Sequence, residues 1–500
     1  MATPPPGIAG LPSANPTKSY WLHDPSKVLL GHRTTEKLPE EADIVIVGSG
    51  ITGSFAARFL FEEEEKMGKS EEEKSRVVML EAREAVSGAT GRNGGHCQPL
   101  VYGAVPEVAE FEIENFEYLK KLVEEENIDC DWTTLPAGVH AFYTPNLLSL
   151  ARSSLHSLQK SHPALGSTLE LITSPVLFEK YRVPTALGVI LQKKAASLWP
   201  YKLVAHILTS LLSSKKSAFN LQTNTPVTSL TPSSTSGGGG WTLTTPRGNI
   251  TTKKLLIATN GYTSNLLPSF SDLIVPVRGQ VSALIPPVTS VPLSHSYLFA
   301  ADPEEEEATA ITAAPRDDYL SQRPPHAKNE IIYGGGRRFA SCLGVGISSD
   351  DQIEEKVASY LRKSLTPVLD LSSEGEELKA SHEWSGIMGY SRDLHAWVGE
   401  VPRSLFPKGG DAGGGVYVCA GYTGHGMPAA TLSARAVAKE MLGVVAKEEK
   451  GGKVKLPKEF KITEERVQRA RGLPLVQGGW EVNTLGTLFS GVLGEEKSEE

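Results

Sequence analysis

Three glycines that directly follow a short apolar segment are the residues of this chain with the clearest chemical use. The segment 44–47 (Ile-Val-Ile-Val) has the length and composition of a buried parallel strand, and Gly48, Gly50 and Gly53 follow it in the pattern G-x-G-x-x-G. Glycines at this spacing allow a tight turn, a close approach of the backbone to a pyrophosphate, and close packing of strand against helix. The pattern therefore predicts a dinucleotide site at the N-terminus of a helix expected over 54–61.

The next apolar segment, 77–80, ends at an acidic residue that completes this site. Glu81 stands where a carboxylate accepts hydrogen bonds from a ribose 2′-hydroxyl. It lies later in the chain than is usual for this motif because a charged segment, 62–74, intervenes, which we interpret as a solvated insertion. The other residues predicted to hold the nucleotide here are Ser49, Ile51, Thr52, Ala82 and Arg83.

Two further glycine-rich segments would let the backbone approach a ligand closely. Residues 88–96 read G-A-T-G-R-N-G-G-H, which offers several N–H donors without bulky side chains, and Arg92 can neutralise a phosphate. Residues 421–428 read G-Y-T-G-H-G-M-P and lie before a helix expected over 428–442, with Pro428 in its first turn. The N-terminus of that helix directs N–H groups and partial positive charge toward one point.

Together these segments resemble the FAD-dependent amine and amino-acid oxidoreductases, the family of D-amino-acid oxidase, sarcosine oxidase and glycine oxidase. In that family G-A-S/T-G-R-N-G-G follows the second strand and G-x-x-G-H-G precedes the last helix. Weaker matches at 224–227, 255–261 and 275–280 extend the similarity over 41–445. The resemblance implies FAD as the cofactor, with the terminal turn at the flavin N1/C2 oxygen edge. The further FAD contacts that it implies are Thr90, Gly91, Arg92, Asn93, Gly94, Gly95, His96, Val227, Thr259, Asn260, Gly261, Tyr422, Thr423, Gly424, His425, Gly426 and Met427.

The resemblance also implies the fold class, which is α/β, or α+β for the chain as a whole. We expect a discontinuous Rossmann-like FAD-binding domain into which a substrate domain with a mixed or antiparallel sheet is inserted. Strand candidates of the substrate domain are 279–284 and 330–333. The predicted parts are an N-terminal extension laid over the surface at 1–40, the FAD-binding domain at 41–105, 200–262 and 385–445, the substrate domain at 106–199 and 263–384, and a C-terminal extension at 446–500.

The cofactor sets the chemistry that the resemblance implies, because oxidation of an amine by flavin moves hydride from the carbon beside nitrogen to N5 and leaves an imine. His96 is the best nearby titratable candidate for a proton acceptor. Tyr390 lies in a segment, 384–399, that resembles the family's strand-turn-strand before the last flavin strand. Either Arg337 or Arg338 could anchor an anionic substrate end, the alternative being an ordinary charge at an exposed strand end.

One position that departs from the family pattern narrows the prediction. Met388 stands where relatives that oxidise small amino acids often carry an arginine, and where sarcosine oxidases attach flavin through a cysteine. We therefore predict non-covalent FAD, with His96 or Cys97 as alternative attachment points, and an amine or amino-acid-like substrate. The imine is expected to hydrolyse, with O2 as the electron acceptor. The open alternatives are a flavin dehydrogenase with another acceptor and a non-enzymatic flavin-binding protein.

Composition argues against several other classes of protein. The 500 residues carry a net charge of −8 and no basic stripe, which argues against nucleic acid as a partner. No apolar run approaches a membrane span, and the first residues lack the pattern of a signal peptide, so we predict a cytoplasmic enzyme without membrane association. The four cysteines show no metal-ligand spacing, so no metal is expected. The oligomeric state is left open.

Overall fold

The computed structural model describes residues 7–233, 240–302, 316–372, 377–406, 414–444 and 455–476. Three features of the sequence fall partly or wholly outside these ranges. They are the Ser/Gly tract within 231–240, the acidic segment 303–307 and much of the C-terminal extension.

The described residues form nineteen strands and ten α-helices. In chain order the strands are β1 Glu41–Val47, β2 Val77–Leu80, β3 His96–Cys97, β4 Thr133–Leu135, β5 Gly138–Phe142, β6 Leu169–Ile172, β7 Gly188–Gln192, β8 Ala195–Ser197, β9 Phe219–Gln222, β10 Ser229–Pro232, β11 Trp241–Thr245, β12 Gly248–Ile257, β13 Ile274–Leu284, β14 Ser296–Ala301, β15 Arg316–Gln322, β16 Ile331–Gly335, β17 Ala380–Ser391, β18 Trp397–Glu400 and β19 Val416–Ala420. The helices are α1 Ile51–Lys66, α2 Pro106–Glu125, α3 Pro145–Ser161, α4 Pro163–Gly166, α5 Pro175–Lys180, α6 Pro200–Ser214, α7 Thr263–Leu266, α8 Glu355–Lys363, α9 Ala430–Met441 and α10 Glu464–Gly472. Within the ranges above, none of these helices has both the length and the apolar character needed to cross a membrane.

The first sheet has a parallel core in the strand order β9-β2-β1-β12-β19. Strand β1 is central, and its residues pack alternately into two core clusters, Ile44 and Ile46 into one and Val45 and Val47 into the other. Burial on both faces is the reason why this strand is apolar at every one of these positions. The strand order is that of a Rossmann-like sheet, as predicted.

The second sheet has the order β17-β13-β16-β15-β14-β5-β7-β6 and is antiparallel except where β5 pairs with β14. It contains the two strands predicted at 279–284 and 330–333, of which the first begins earlier, at Ile274, and the second ends later, at Gly335. Strands β3, β8 and β4 form a small third sheet, in the order β3-β8-β4. The mixed, mainly antiparallel sheet expected beside the Rossmann-like sheet is therefore present.

The starts of two helices differ from the predictions. Helix α1 begins at Ile51 with Gly50 as its N-cap, earlier than the predicted residue 54. Helix α9 begins at Ala430, so Pro428 precedes the helix and the prediction of a first-turn proline was wrong. The physical reason is that Ala429 has φ −122° and ψ −32°, outside helical geometry, so the turn that contains Pro428 is separate from the helix.

The N-terminal extension is partly buried, in contrast to a segment laid over the surface. The side chain of Trp21 is fully buried, and the carbonyl of Trp21 accepts a hydrogen bond from the indole of Trp199 at 2.8 Å. The guanidinium of Arg323 lies 5.0 Å from the centre of the Trp21 ring. Because a buried tryptophan contributes a large apolar area, this segment is part of the core.

The regions that the sequence assigned to separate domains share elements, so the domain boundaries stay a prediction. The boundary at 385 falls inside β17, whose residues pair with β13 as far as Ser391. Helix α2 lies in a segment assigned to the substrate domain, yet its apolar face packs in one core cluster with α1 and α9. This position of α2 matters for the site described next.

Candidate active site

A single cavity of about 450 Å³ contains most of the residues that the sequence singled out. Its volume lies in the range of small-molecule sites. The predicted residues that line it are Gly48, Gly50, Ile51, Thr52, Glu81, Ala82, Arg83, Thr90, Arg92, Asn93, Gly94, His96, Val227, Thr259, Asn260, Arg337, Tyr390, Tyr422, Thr423, Gly424, His425, Gly426 and Met427. Segments far apart in the chain therefore meet at one site.

Five of the residues predicted to bind FAD do not line the cavity: Ser49, Gly53, Gly91, Gly95 and Gly261. A Cβ atom at Gly53 would collide with the carbonyl oxygen of Gly48, and one at Gly95 would collide with the ring of Trp21. Glycines at these places allow other chain segments to pack closely behind the cavity. They shape the site through packing.

At one end of the cavity, the turn between β1 and α1 presents backbone donors. Gly48 has φ +107°, a conformation that favours glycine, and Gly50 caps α1 without any side-chain hydrogen bond. The first-turn N–H groups of a helix have no intrahelical partner, and here they lie at the cavity. One of them, on Ile51, donates to Thr90 Oγ1 at 3.0 Å. This end, which we call the nucleotide end, fits a pyrophosphate.

Glu81 is held at the same end by three hydrogen bonds. Its Oε2 accepts the N–H of Ser49 at 3.0 Å and the hydroxyl of Ser49 at 2.7 Å, and its Oε1 accepts the N–H of Arg83 at 3.0 Å. Each carboxylate oxygen retains acceptor capacity after these bonds. The group is therefore fixed beside the glycine turn and fits the role of a ribose acceptor.

The two arginines of the nucleotide end are paired with a residue that the sequence analysis missed. The carboxylate of Asp350 lies 2.9 Å from Arg83 Nη1 and 3.3 Å from Arg92 Nε. Burial lowers the pKa of Arg92 to about 10, against the opposing effect of Asp350. Asp350 has no motif around it and is distant in sequence, so no local signal identified it.

The terminal turn, residues 421–428, is held by hydrogen bonds to other segments of the chain, and some of its own N–H groups donate to no protein group in the described residues. Thr423 N–H donates to the Gly389 carbonyl at 2.8 Å, and Asn260 Oδ1 accepts the N–H of Gly421 at 3.0 Å. Among the residues that the structure describes, the N–H groups of Gly426 and Met427 donate to no protein group. Because both residues line the cavity, these donors fit an electronegative edge of a bound ring.

The other end of the cavity, the substrate chamber, contains a buried charged pair. Arg337 forms an ion pair with Asp317 and a hydrogen bond with the hydroxyl of Tyr390. Burial raises the pKa of Asp317, while the Arg337 guanidinium opposes this shift. Arg338 does not line the cavity and lies instead over Phe339, at 4.8 Å from the ring centre. Of the two arginine candidates, only Arg337 reaches the chamber.

His96 borders the same chamber and is neutral near pH 7. Burial, together with the nearby His425, lowers the pKa of His96 to about 4. Its Nδ1 atom is buried and has no hydrogen-bond partner in the described part of the chain. The ring lies 5.5 Å from that of Tyr319, another residue that the sequence analysis missed. A neutral imidazole here can accept a hydrogen bond, whereas its low pKa makes it a weak proton acceptor.

Two further polar groups of the chamber escaped the sequence analysis. Glu112, from α2, accepts a hydrogen bond from His425 Nε2 at 3.0 Å. His140 bonds to Gln98 through one ring nitrogen and to Tyr102 through the other. Burial lowers the pKa of His140 to about 3, so this imidazole is neutral.

A Rossmann-like sheet with a nucleotide site, joined to an antiparallel sheet that carries a chamber, defines a flavin-dependent oxidoreductase. The family model described as FAD dependent oxidoreductase matches residues 43–440, and the chain belongs to this family. The resemblance stated from the motifs is thereby confirmed, as is the assignment of the chain to an enzyme class that uses FAD.

Individual relatives are distant in sequence. The chain is 23% identical over 447 residues to gamma-glutamylputrescine oxidoreductase of Escherichia coli (strain K12), a match that covers 85% of this chain and 89% of that protein. L-amino acid deaminase from Proteus vulgaris superposes with a TM-score of 0.60 at 17% identity, over 85% of this chain and 96% of the other. Glycine oxidase from Geobacillus kaustophilus gives 0.59 at 18%, over 81% and 95%. These structures show that the fold is shared.

The glycine turn predicts a direct effect on cofactor binding. In a Gly50→Val variant, the Cβ alone would lie 3.0 Å from Thr90 Oγ1, and the rest of the side chain would occupy the nucleotide end. We expect FAD binding to weaken at least about tenfold, which corresponds to about 1.4 kcal/mol. The measurement is FAD per protein after purification and the Kd from titration of the apoprotein.

Gly472→Val is the matched control, because a Cβ atom at Gly472 would meet no other atom within 4 Å and the residue does not line the cavity. It should bind FAD like the wild type. Full FAD occupancy with unchanged affinity in Gly50→Val would contradict the assignment of the nucleotide end.

Proposed function

We propose that the protein oxidises a C–N bond in an amine or amino-acid-like substrate, with O2 as the acceptor. The observation that carries the proposal is the continuity of one cavity from the glycine turn to the chamber that holds Arg337, Tyr390 and His96. Bound FAD supplies the acceptor for the hydride that leaves the carbon beside nitrogen. The substrate becomes an imine, and water converts it to a carbonyl compound and an amine. O2 takes up the two electrons and two protons and leaves as hydrogen peroxide.

The residues of the chamber have distinct tasks in this reaction. The amine binds after it has lost its ammonium proton to solvent, and the same desolvation that lowers the pKa of His96 favours this neutral form, whose nitrogen lone pair the oxidation requires. Neutral His96 orients the amine by accepting a hydrogen bond from its N–H. Arg337 anchors an anionic or polar end of the substrate, and Asp317 together with Tyr390 fixes the direction of the guanidinium. Positioning of this kind raises the rate because the reacting carbon is held in one orientation.

The named relatives support substrates of this class. One is named for gamma-glutamylputrescine, and the two structural relatives are named for glycine and for L-amino acids. Met388 lines the cavity as part of β17, at the position where the family's small-amino-acid oxidases often carry an arginine. This difference favours amines and larger amino-acid derivatives over the simplest α-amino acids.

Non-covalent binding of FAD is part of the proposal. Met388 has a thioether, which has no S–H group and cannot form the thiolate that would attach flavin. Burial raises the pKa of the Cys97 thiol, which disfavours its reactive thiolate form. We expect acid precipitation of the purified protein to leave all the yellow colour in the supernatant, where chromatography identifies FAD. Flavin fluorescence that stays with the protein band on a denaturing gel would refute non-covalent binding.

The activity is tested with a panel of primary amines, secondary amines, acylated diamines and amino acids. Under anaerobic conditions, a substrate should bleach the visible absorbance of the flavin, and admission of air should restore it with about one hydrogen peroxide per turnover. Bleaching without reoxidation by O2 would indicate a dehydrogenase with another acceptor. Absence of bleaching by every compound of the panel would contradict the proposed reaction.

Neighbouring arginines give a matched pair of variants for the same assay. Arg337→Met should raise KM for the best substrate about tenfold or more, because a charge-assisted hydrogen bond to the substrate is lost. Arg338→Met should leave KM and kcat near the wild-type values, because Arg338 does not line the cavity. Equal kinetics in the two variants would rule out Arg337 as the anchor.

A further inference from the structure

Residues 9–21, which we call the N-terminal strap, cross the nucleotide end of the cavity. Three side chains hold the first residues of the strap: Asn265, which lines the cavity and donates to the Ala9 carbonyl at 3.0 Å, and two serines that do not line it. Ala9 N–H donates to Ser264 Oγ at 3.0 Å, and Gly10 N–H donates to Ser348 Oγ at 3.1 Å. Ser264 and Ser348 belong to separate segments, so the strap joins them.

The other end of the strap is held more firmly. The hydroxyl of Ser19 donates to the Gly91 carbonyl at 2.7 Å, and the indole of Trp21 donates to the Asn93 carbonyl at 2.6 Å. Between the two ends, Thr17 N–H donates to the carbonyl of Asp350 at 2.8 Å. The strap is therefore attached to the loop that the family resemblance places at the flavin.

Gly10, Leu11 and Pro12 line the cavity, and the carbonyl of the next residue, Ser13, accepts a hydrogen bond from Arg83 Nη1 at 3.3 Å, which places this part of the strap at the nucleotide end. Leu11 is 42% exposed, and it lines the cavity. Apolar surface that faces a cavity is stabilised when a ligand covers it. FAD, the ligand of this site, would place its adenosine half at this end, where the face of the adenine ring can pack against the apolar side chain of Leu11.

We propose that the strap is a part of the FAD site, in which Leu11 packs on the adenosine half and the strap retains the cofactor. FAD then leaves only after this end of the strap detaches from Ser264, Asn265 and Ser348. The proposal rests on FAD binding, which the family establishes, and is independent of the substrate.

The rate of FAD release tests this proposal. Diluted holoprotein is incubated, and released FAD is measured by fluorescence in the protein-free filtrate. We expect Leu11→Ala and the double variant Ser264→Ala/Ser348→Ala to release FAD several-fold faster than the wild type. The double variant leaves the cavity lining intact, so its effect reports attachment of the strap.

Leu30→Ala is the control, because Leu30 is 51% exposed in the same N-terminal region and does not line the cavity. It should release FAD at the wild-type rate, and the melting temperatures of the variants should agree. Wild-type release rates in either Leu11→Ala or the double variant would overturn the proposal.

A second inference stands on a different observation, the contact of α2 with the terminal turn. Glu112 accepts a hydrogen bond from His425, while Asn115 Nδ2 donates to the Met427 carbonyl at 3.1 Å and Asn115 Oδ1 accepts the N–H of Leu432 at 2.9 Å. Both α2 side chains are buried. One face of this helix therefore holds both ends of the segment that carries the unused N–H groups.

The pair formed by His425 and Glu112 is oriented toward the cavity. The side chain of His425 is 38% exposed and that of Glu112 is 5% exposed, so the imidazole lies nearer the cavity and the carboxylate lies behind it. Glu112 raises the pKa of His425 against the effect of burial, whereas the pKa values of His96 and His140 are lowered, in part by His425. Of these three imidazoles, His425 is the one that favours a positive charge.

The geometry points to Glu112 as a positioning residue that holds His425 beside the turn where FAD binds and favours its protonated form. A positive charge at that place stabilises the electron-rich reduced cofactor. Glu112 acts through His425 and through the backbone of the turn. The inference concerns the cofactor only, so it can fail while the proposed substrate class holds.

The reduction potential of bound FAD tests this role. Glu112→Gln keeps an acceptor for the N–H of Leu100 but removes the charge, so His425 loses its anionic partner. We expect a lower midpoint potential in this variant, with FAD content unchanged. Glu117→Gln is the control, because Glu117 lies on the same helix and pairs with Lys194 outside the cavity. A wild-type potential in Glu112→Gln would overturn the assignment.

Discussion

A single buried carboxylate holds together the parts that form the nucleotide end of the cavity. Asp350 is 1% exposed and lies between the guanidinium groups of Arg83 and Arg92. Two buried cations near one another would repel, and each would lose its hydration, unless an anion were placed between them. Asp350 supplies that anion, and its backbone carbonyl holds Thr17 of the strap. The loop at 88–95, the strap and the segment around 350 therefore depend on one electrostatic arrangement.

In the substrate chamber, too, each buried charge is paired with an opposite charge of the protein. Arg337 is paired with Asp317, and His425 is paired with Glu112, while burial keeps His96 and His140 neutral. Ionised groups are tolerated in such a site because each has a partner of opposite charge within the protein. The chamber can thus present donors and acceptors to a small substrate without leaving an uncompensated charge in its lining.

Helix α2 carries a sequence signal whose meaning became clear only from the fold. Glu112 and Asn115 fall on the face that also carries Phe111, Phe116 and Leu119, so helical spacing places two polar side chains in a buried stripe. Buried polar groups require partners, and this pattern indicates that α2 holds another element. The identity of the partner, the turn that contains His425, was not readable because it lies hundreds of residues away.

The sequence by itself determined the strand, glycine turn and helix at 44–61, and with them the cofactor class, because backbone sterics within a few residues decide such a motif. It also identified the family, since three glycine-rich segments in a fixed order are specific. Only the tertiary structure decided that Arg337 rather than Arg338 reaches the chamber, that Gly53 and Gly95 pack behind the cavity, and that the N-terminal segment crosses it. These outcomes depend on contacts between segments distant in the chain, and no local pattern of residue types encodes which distant surfaces will meet.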